Sequence, residues 1–210
     1  MREWPETVRP MYRRAIFLDR DGTISEDTHY PFRIEDLKFI SGSLAALALS
    51  ASVPAHIIVV TNQAGIALKK FTVDEMMAFN DALRDQLRRA GARVDAFYYC
   101  PHKEPKDLAP GESGCECAKP RPGMLIEAAR DFGLDLRESF LIGDKQSDIL
   151  AGQAAGCRTW LVKTGKGGTD LPDSVASPDS VADNLAEALG QISAELMSVP
   201  STFRLKPDTT

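Results

Sequence analysis

At 210 residues, 43% hydrophobic and 26% charged, the chain suits one domain with a sizeable core and room for a small insertion. A formal net charge of −5 argues against a dedicated nucleic-acid binder, which carries a basic excess, but leaves a small anionic substrate open. No apolar run approaches the length of a membrane span, and Met1 to Arg14 lacks the apolar core of a signal peptide, so a cytoplasmic protein is expected.

In chain order, residues up to about Tyr12 read as a tail or surface strap. Ala15 to Leu18 is wholly apolar, as expected of a strand buried on both faces of a parallel sheet. Ile24 to Ile40 is polar, aromatic and proline-containing, a flap over that strand's end. Ser41 to Ala51 predicts a serine-capped helix, and Ala55 to Val60 a second buried strand. A helix over Thr72 to Ala90 opens with the capping-box pair Thr72 and Glu75 and closes at Gly91. Val94 to Tyr99 gives a third strand, which runs into a cysteine-rich loop over 100–117. Pro122 starts a helix over Gly123 to Phe132, and strands at Ser139 to Ile142 and Arg158 to Val162 flank a helix over Ser147 to Ala155. Gly165, Gly167 and Gly168 predict a loose loop, Val181 to Met197 a last helix, and 199–210 a disordered tail. This alternation implies an α/β fold with a doubly wound, mostly parallel sheet and helices on both faces, one domain over 14–198 between tails at 1–13 and 199–210.

In such sheets ligands sit beyond the carboxyl ends of the strands. The first strand stops at Asp19 and Asp21, which at a spacing of two point the same way, with Gly22 permitting the tight turn. Converging carboxylates repel and need a cation or a shared proton; with no His or Cys beside them, Mg²⁺ is favoured over Zn²⁺. Thr61, Asn62 and Gln63 end the second strand, Asp144 and Asp148 follow the fourth, and Lys119 precedes a helix. An aspartate can attack phosphorus and form an acyl-phosphate. Mg²⁺ between Asp19, Asp144 and a backbone carbonyl near Asp21 would neutralise the approach, while Lys119, Thr61 and Asn62 cover other phosphoryl oxygens. Asp21 can protonate the leaving oxygen and then take a proton from the attacking water. Each later motif alone is an ordinary turn or a surface charge; their order and their placement at strand ends give them weight.

Cys100-x-His102 and Cys115-x-Cys117 offer three thiolates and one imidazole in two close pairs, a set suited to tetrahedral structural Zn²⁺. The loop between them holds Pro105, Pro110, Gly111 and Gly114 and little that could be buried, so it needs a staple. In a reducing compartment these cysteines read as metal ligands rather than disulfides. Lys119 follows Cys117 by two residues, so this zinc would position a phosphate contact. Cys157 reads as a core thiol, and His29 and His56 as surface or packing residues.

Phe17 to Ile24 (FLDRDGTI), Val60 to Gln63 (VTNQ), Lys119-Pro120 and Ile142 to Asp148 (IGDKQSD) resemble the four motifs of the haloacid dehalogenase-like phosphatases, and the likeness spans Arg14 to Val162. Within that superfamily it is closest to the branch of heptose bisphosphate phosphatases and histidinol-phosphatase domains. The resemblance implies Asp19 as nucleophile, Asp21 as acid/base, and Mg²⁺ at Asp19, Asp21 and Asp144. It also implies Thr61 and Lys119 as phosphate contacts, with Asp148 orienting Lys119 or a metal-bound water. The interval between the first and second strands leaves no room for a large cap domain, so small loops shape the pocket.

The chain departs from that branch at Ala64, where serine is usual, and at Leu68 and Ala118, where arginine is usual. An arginine fork reads phosphate in a way neither alanine nor leucine can replace. Asn62, Gln63 and Arg121 are the candidate substrate contacts, and Lys69 and Lys70 also lie nearby. The expectation is a monomeric Mg²⁺-dependent phosphatase of a small sugar phosphate, foremost a heptose bisphosphate, with no nucleic-acid or membrane partner. Histidinol phosphate or another metabolite phosphate is the alternative substrate, and a zinc-stabilised binding module with a silent site the alternative of another class.

Overall fold

The computed structural model describes residues 2–3, 12–169 and 177–198. The expected C-terminal tail and most of the N-terminal one lie outside the described residues. Seven strands, β1 (Arg2–Glu3), β2 (Ala15–Leu18), β3 (His56–Asn62), β4 (Ala96–Cys100), β5 (Phe140–Gly143), β6 (Arg158–Val162) and β7 (Ser180–Ala182), form one sheet in the order β1-β4-β3-β2-β5-β6-β7. All neighbours pair in parallel except β1, which lies antiparallel on β4. The helices are α1 (Ser43–Leu49), α2 (Val73–Arg89), α3 (Gly123–Phe132), α4 (Gln146–Ala155) and α5 (Leu185–Ser198). No cap domain is inserted among the described residues, and none of their helices is long and apolar enough to cross a membrane.

The central strand β2 is apolar and buried on both faces. Ile16 and Leu18 face one layer with Leu47 of α1, Leu83 of α2 and Ile192 of α5. Ala15 and Phe17 face the other, with Leu125 and Phe132 of α3 and Ala151 of α4. The chain winds from β2 through α1 and α2 to β4, and α3 then carries it back to β5 on the other side of β2. The winding direction thus reverses between β2 and β5. Beyond their carboxyl ends the two flanking loops part, which opens a crevice where Asp19 and Asp144 emerge.

The capping box of Thr72 and Glu75 is present, with Glu75 N–H donating to Thr72 Oγ1 at 3.2 Å and Thr72 N–H to Glu75 Oε2 at 2.7 Å. Three elements differ from expectation. The first helix has no serine cap: Gly42 precedes it in a left-handed conformation (φ 83°), and Ser43 Oγ instead donates to Ile24 O in the flap at 2.8 Å. The start of the last expected helix is β7, which pairs with β6, and α5 begins only at Leu185. The glycine-rich loop after β6 is not loose but tied to the site.

Candidate active site

Asp19 follows the last residue of β2, and its backbone N–H donates to Ile142 O of β5 at 2.9 Å. Its carboxylate is buried, with Oδ1 accepting from Lys119 Nζ at 2.8 Å. The same ammonium donates to Val60 O at 2.9 Å and lies 2.5 Å from Asp148 Oδ1. The ammonium thus makes two hydrogen bonds and one further ion pair. Burial opposes ionisation of Asp19, but the ammonium groups of Lys119 and Lys145 outweigh it and hold the carboxyl below its ordinary range. Burial likewise opposes the charge on Lys119, and Asp148 and Asp19 more than offset that, so the lysine stays charged. The result is an anionic oxygen nucleophile beside a fixed cation.

Asp21 is held quite differently. Arg20, fully buried between the two aspartates, curls back and donates from Nε to Asp21 Oδ1 and from Nη2 to Asp21 Oδ2, each at 2.9 Å. Nη1 donates to Asn80 Oδ1 of α2 at 2.8 Å, Nη2 also reaches Gln63 Oε1 at 3.1 Å and Pro31 O at 3.3 Å, and Phe79 stacks beneath the guanidinium. Gln63 Nε2 donates to Asp21 Oδ2 at 3.1 Å and to Thr61 Oγ1 at 2.8 Å. One network thus fixes the second carboxylate and the Thr61 hydroxyl together. The expectation for Arg20 was silent, because alternation on a strand sends it away from its neighbours and only its length lets it return.

The carboxylates of Asp19, Asp144 and Asp148 each present an oxygen within 4.8 Å of the others. Asp144 Oδ2 accepts from Lys166 N–H at 2.6 Å, whereas its buried Oδ1 has no hydrogen-bond partner among the described residues. Burial, then the Asp19 charge, pushes the Asp144 carboxyl up to about 8. The ammonium of Lys145 stands 3.0 Å from Asp21 O, 3.7 Å from Asp144 Oδ1 and 3.9 Å from Asp19 Oδ2. A cation is therefore already drawn to the point where these three oxygens converge. That donor set, all oxygen with one buried carboxylate oxygen unpartnered, fits Mg²⁺. Asp21 belongs to it through its backbone oxygen, since its carboxylate is bound to Arg20. Lys145 was not singled out from sequence, although it directly follows Asp144.

Two glycines make room for Asp144. A Cβ on Gly22 (φ +97°) would lie 2.3 Å from Asp144 Oδ2, and one on Gly165 (φ +58°) 2.2 Å from the same atom. The loop after β6 is pinned by Thr164 Oγ1 donating to Gly22 O at 2.8 Å and Gly168 N–H donating to Asp144 O at 2.9 Å.

Cys100, His102, Cys115 and Cys117 cluster at the end of β4. Their sulfurs stand 3.1, 3.3 and 3.4 Å apart, and His102 Nδ1 lies 3.3 Å from Cys117 Sγ and 3.6 Å from Cys100 Sγ. Ligands about 2.3 Å from a tetrahedral centre stand roughly 3.8 Å apart, so little adjustment would admit Zn²⁺. The hydrogen bond from Cys100, against burial, draws the Cys117 thiol down to about 5, a ready thiolate. Cys157 lies apart in the core, its thiol pushed up to about 12 by burial.

Beside the carboxylates is a cavity of about 320 Å³ walled by Asp27 and Tyr30 of the flap, Asn62 at the end of β3 and Gln63 just after it, and Lys145 and Lys166. His29 lines it too; with Tyr30 it forms a consecutive non-glycine pair at φ 66° and 65°, local strain of the kind that collects at functional sites. Asn62 reaches the cavity but spends its amide on the Lys119 backbone and on Glu104 Oε1 at 3.2 Å. Arg121 is not brought to the cavity wall: its Nη1 donates to Cys115 O at 2.7 Å and Glu116 Oε1 at 3.3 Å, against the cysteine loop.

The HAD-hydrolase-like family model matches residues 116–188. The chain is 38% identical over 178 residues (83% of this chain, 94% of the relative) to a D-glycero-beta-D-manno-heptose-1,7-bisphosphate 7-phosphatase of Pasteurella multocida. It is 39% identical over 152 residues (72% of this chain, 80% of the relative) to a D-glycero-alpha-D-manno-heptose-1,7-bisphosphate 7-phosphatase of Burkholderia mallei. In three dimensions it is similar to a D,D-heptose 1,7-bisphosphate phosphatase from B. bronchiseptica crystallised with magnesium and phosphate, with a TM-score of 0.78, 33% identity and coverage of 87% of this chain and 99% of that one. The chain therefore belongs to the haloacid dehalogenase-like hydrolases, in the family of the heptose-1,7-bisphosphate 7-phosphatases.

Proposed function

We propose that this protein hydrolyses the 7-phosphate of D-glycero-D-manno-heptose 1,7-bisphosphate through a phosphoryl group carried on Asp19. The observation that carries this reading is the Asp19 carboxylate itself: ionised, buried, 2.8 Å from the Lys119 ammonium, and off the central strand at the point where the winding reverses. The family, and the metal and phosphate in the B. bronchiseptica neighbour, agree with it.

Asp19, Asp144 and the Asp21 backbone oxygen would hold Mg²⁺, which when bound supplies positive charge between the nucleophile and the phosphoryl dianion. Lys119 supports the opposite side of the transferring group, and the Thr61 hydroxyl, whose oxygen already accepts from Gln63, keeps its proton free for a phosphoryl oxygen. An oxygen of Asp19 attacks phosphorus as the bond from phosphorus to the sugar oxygen breaks, and that oxygen takes a proton from Asp21, which enters this step as the carboxylic acid and leaves it as the carboxylate that Arg20 pairs. Water then attacks the phosphorus of the aspartyl-phosphate, Asp21 takes its proton, and inorganic phosphate leaves with Asp19 regenerated. Arg20 and Gln63 fix the orientation Asp21 needs at both steps.

Zn²⁺ at Cys100, His102, Cys115 and Cys117 is assigned a structural role: the set is closed, with no position left for water. The protein is read as a cytoplasmic monomer, since thiols destined for a metal suit a reducing compartment and one chain supplies every residue named.

A panel of phosphorylated metabolites tests the substrate. The expected result is a kcat/KM for heptose 1,7-bisphosphate, in one or both anomers, at least tenfold above that for histidinol phosphate and hexose phosphates. Equal or greater turnover of histidinol phosphate would replace the heptose assignment while leaving the chemistry in place.

A further inference from the structure

We infer that Lys166 is the specificity-determining residue that recognises the second, non-reacting phosphate of the substrate. The inference rests on the bisphosphate reading above. A bisphosphatase acting at one end must hold a dianion at the other, away from the metal carboxylates, and that takes a cation with no protein partner of its own. Among the described residues lining the cavity only Lys145 and Lys166 carry an ammonium, and none is an arginine. Lys145 is already committed: it lies 3.2 Å from Asp27 Oδ2, donates to Asp21 O at 3.0 Å, and faces Asp19 and Asp144. Arg121 is turned onto the cysteine loop. Positions 68 and 118 hold leucine and alanine, so neither offers a charge. The side chain of Lys166, exposed at the cavity wall, makes no hydrogen bond or ion pair among the described residues.

Its backbone is anything but free. Lys166 N–H donates to Asp144 Oδ2 at 2.6 Å, Gly168 N–H donates to Asp144 O at 2.9 Å, and Thr164 Oγ1 ties the same loop to Gly22 O at 2.8 Å. The close approach of Gly165 to Asp144 and Gly22 is what allows this seat. A rigid base beside the metal carboxylate and a flexible four-carbon stem bearing a point charge is an arrangement that spans from the reacting end of a sugar bisphosphate toward its far end. The loop is therefore the ruler of the pocket: one end is fixed on the cation-binding aspartate, and the other offers a charge to the distal phosphate.

The test compares wild type, Lys166→Gln and Lys166→Arg on heptose 1,7-bisphosphate and on the 7-phosphate lacking the C1 phosphate. A charge-assisted contact contributes enough to change kcat/KM about 10- to 100-fold. In Lys166→Gln the ratio of kcat/KM for the bisphosphate over the monophosphate is expected to fall by that factor, carried mainly by KM, and Lys166→Arg to recover most of it. An unchanged ratio, or an equal fall on both substrates, overturns the inference while leaving the heptose reading intact. A wild-type enzyme that does not prefer the bisphosphate at all overturns that reading and this one with it.

Discussion

The side-chain amide of Asn62 closes two hydrogen bonds on the backbone of Lys119, accepting its N–H at 3.0 Å and donating to its carbonyl at 3.0 Å. Lys119 sits on irregular chain between the cysteine cluster and α3, so the sheet does not place it directly. The last residue of β3 does so instead, by presenting a side chain that mimics a neighbouring strand. Asn62→Ala is expected to lower kcat about 10- to 100-fold and to cost about 1–2 kcal/mol of stability. Steady-state kinetics with urea denaturation check this, and a change confined to KM would argue that Asn62 contacts substrate instead.

Arg20 holds five acceptor contacts inside the core, so its loss leaves Asp21 buried without its counter-ion. Arg20→Met is expected to destabilise by about 3–5 kcal/mol and to abolish most turnover. Arg20→Lys, a point charge that cannot reproduce the fork on Asp21, is expected to restore stability more than activity. Chemical denaturation beside kcat for the two variants measures the split.

In the metal-free protein the Asp144 carboxyl is raised from 3.8 to about 8 by burial and then by Asp19. The folded state therefore keeps a proton that the unfolded chain releases, and the stability this contributes at low pH is lost as pH rises from about 4 to about 8. Mg²⁺ must displace that proton, so its affinity is expected to rise with pH up to about 8, with proton release at pH 7. Titration calorimetry in buffers of different ionisation enthalpy reads the proton count. Release of no proton, or the same release in Asp144→Asn, would contradict the assignment.

Gly165 lies against Asp144 and Gly22 closely enough that a Cβ would stand 2.2 Å from Asp144 Oδ2 and 2.6 Å from Gly22 Cα. Gly165→Ala is expected to weaken Mg²⁺ binding by at least tenfold, because the methyl group displaces the carboxylate that must reach the ion. Gly190, with nothing near its would-be Cβ, is the control position.

Removing zinc tests the cysteine loop. A strong chelator, or Cys117→Ala, is expected to lower Tm and kcat together, since Arg121 and Lys119 both follow from this loop. Metal analysis of the purified protein should find about one zinc per chain.

Much of this site is legible in the sequence because it lies where strands end. A buried apolar run must stop at Asp19, the Thr61–Asn62 pair ends the next strand, and Asp144 follows β5, so their convergence follows from the winding. What escapes is decided by side-chain length and close packing. Arg20 folds back against its alternation, Asn62 is spent on a backbone rather than on substrate, and Arg121 turns to the cysteine loop. The glycines at 165, 167 and 168 read as freedom, whereas each adopts positive φ to bring the chain onto Asp144. β7 is three residues long and runs into α5 after a short turn, which leaves its helix-like sequence with no periodic warning.

The central claim is that Asp19 carries the phosphoryl group. The most direct measurement quenches turning-over enzyme with borohydride, which reduces an acyl-phosphate to an alcohol, and maps the product by mass spectrometry. Homoserine at position 19, absent from enzyme quenched without substrate, is the predicted result; an unmodified residue 19 with homoserine at position 21, 144 or 148 would contradict the account.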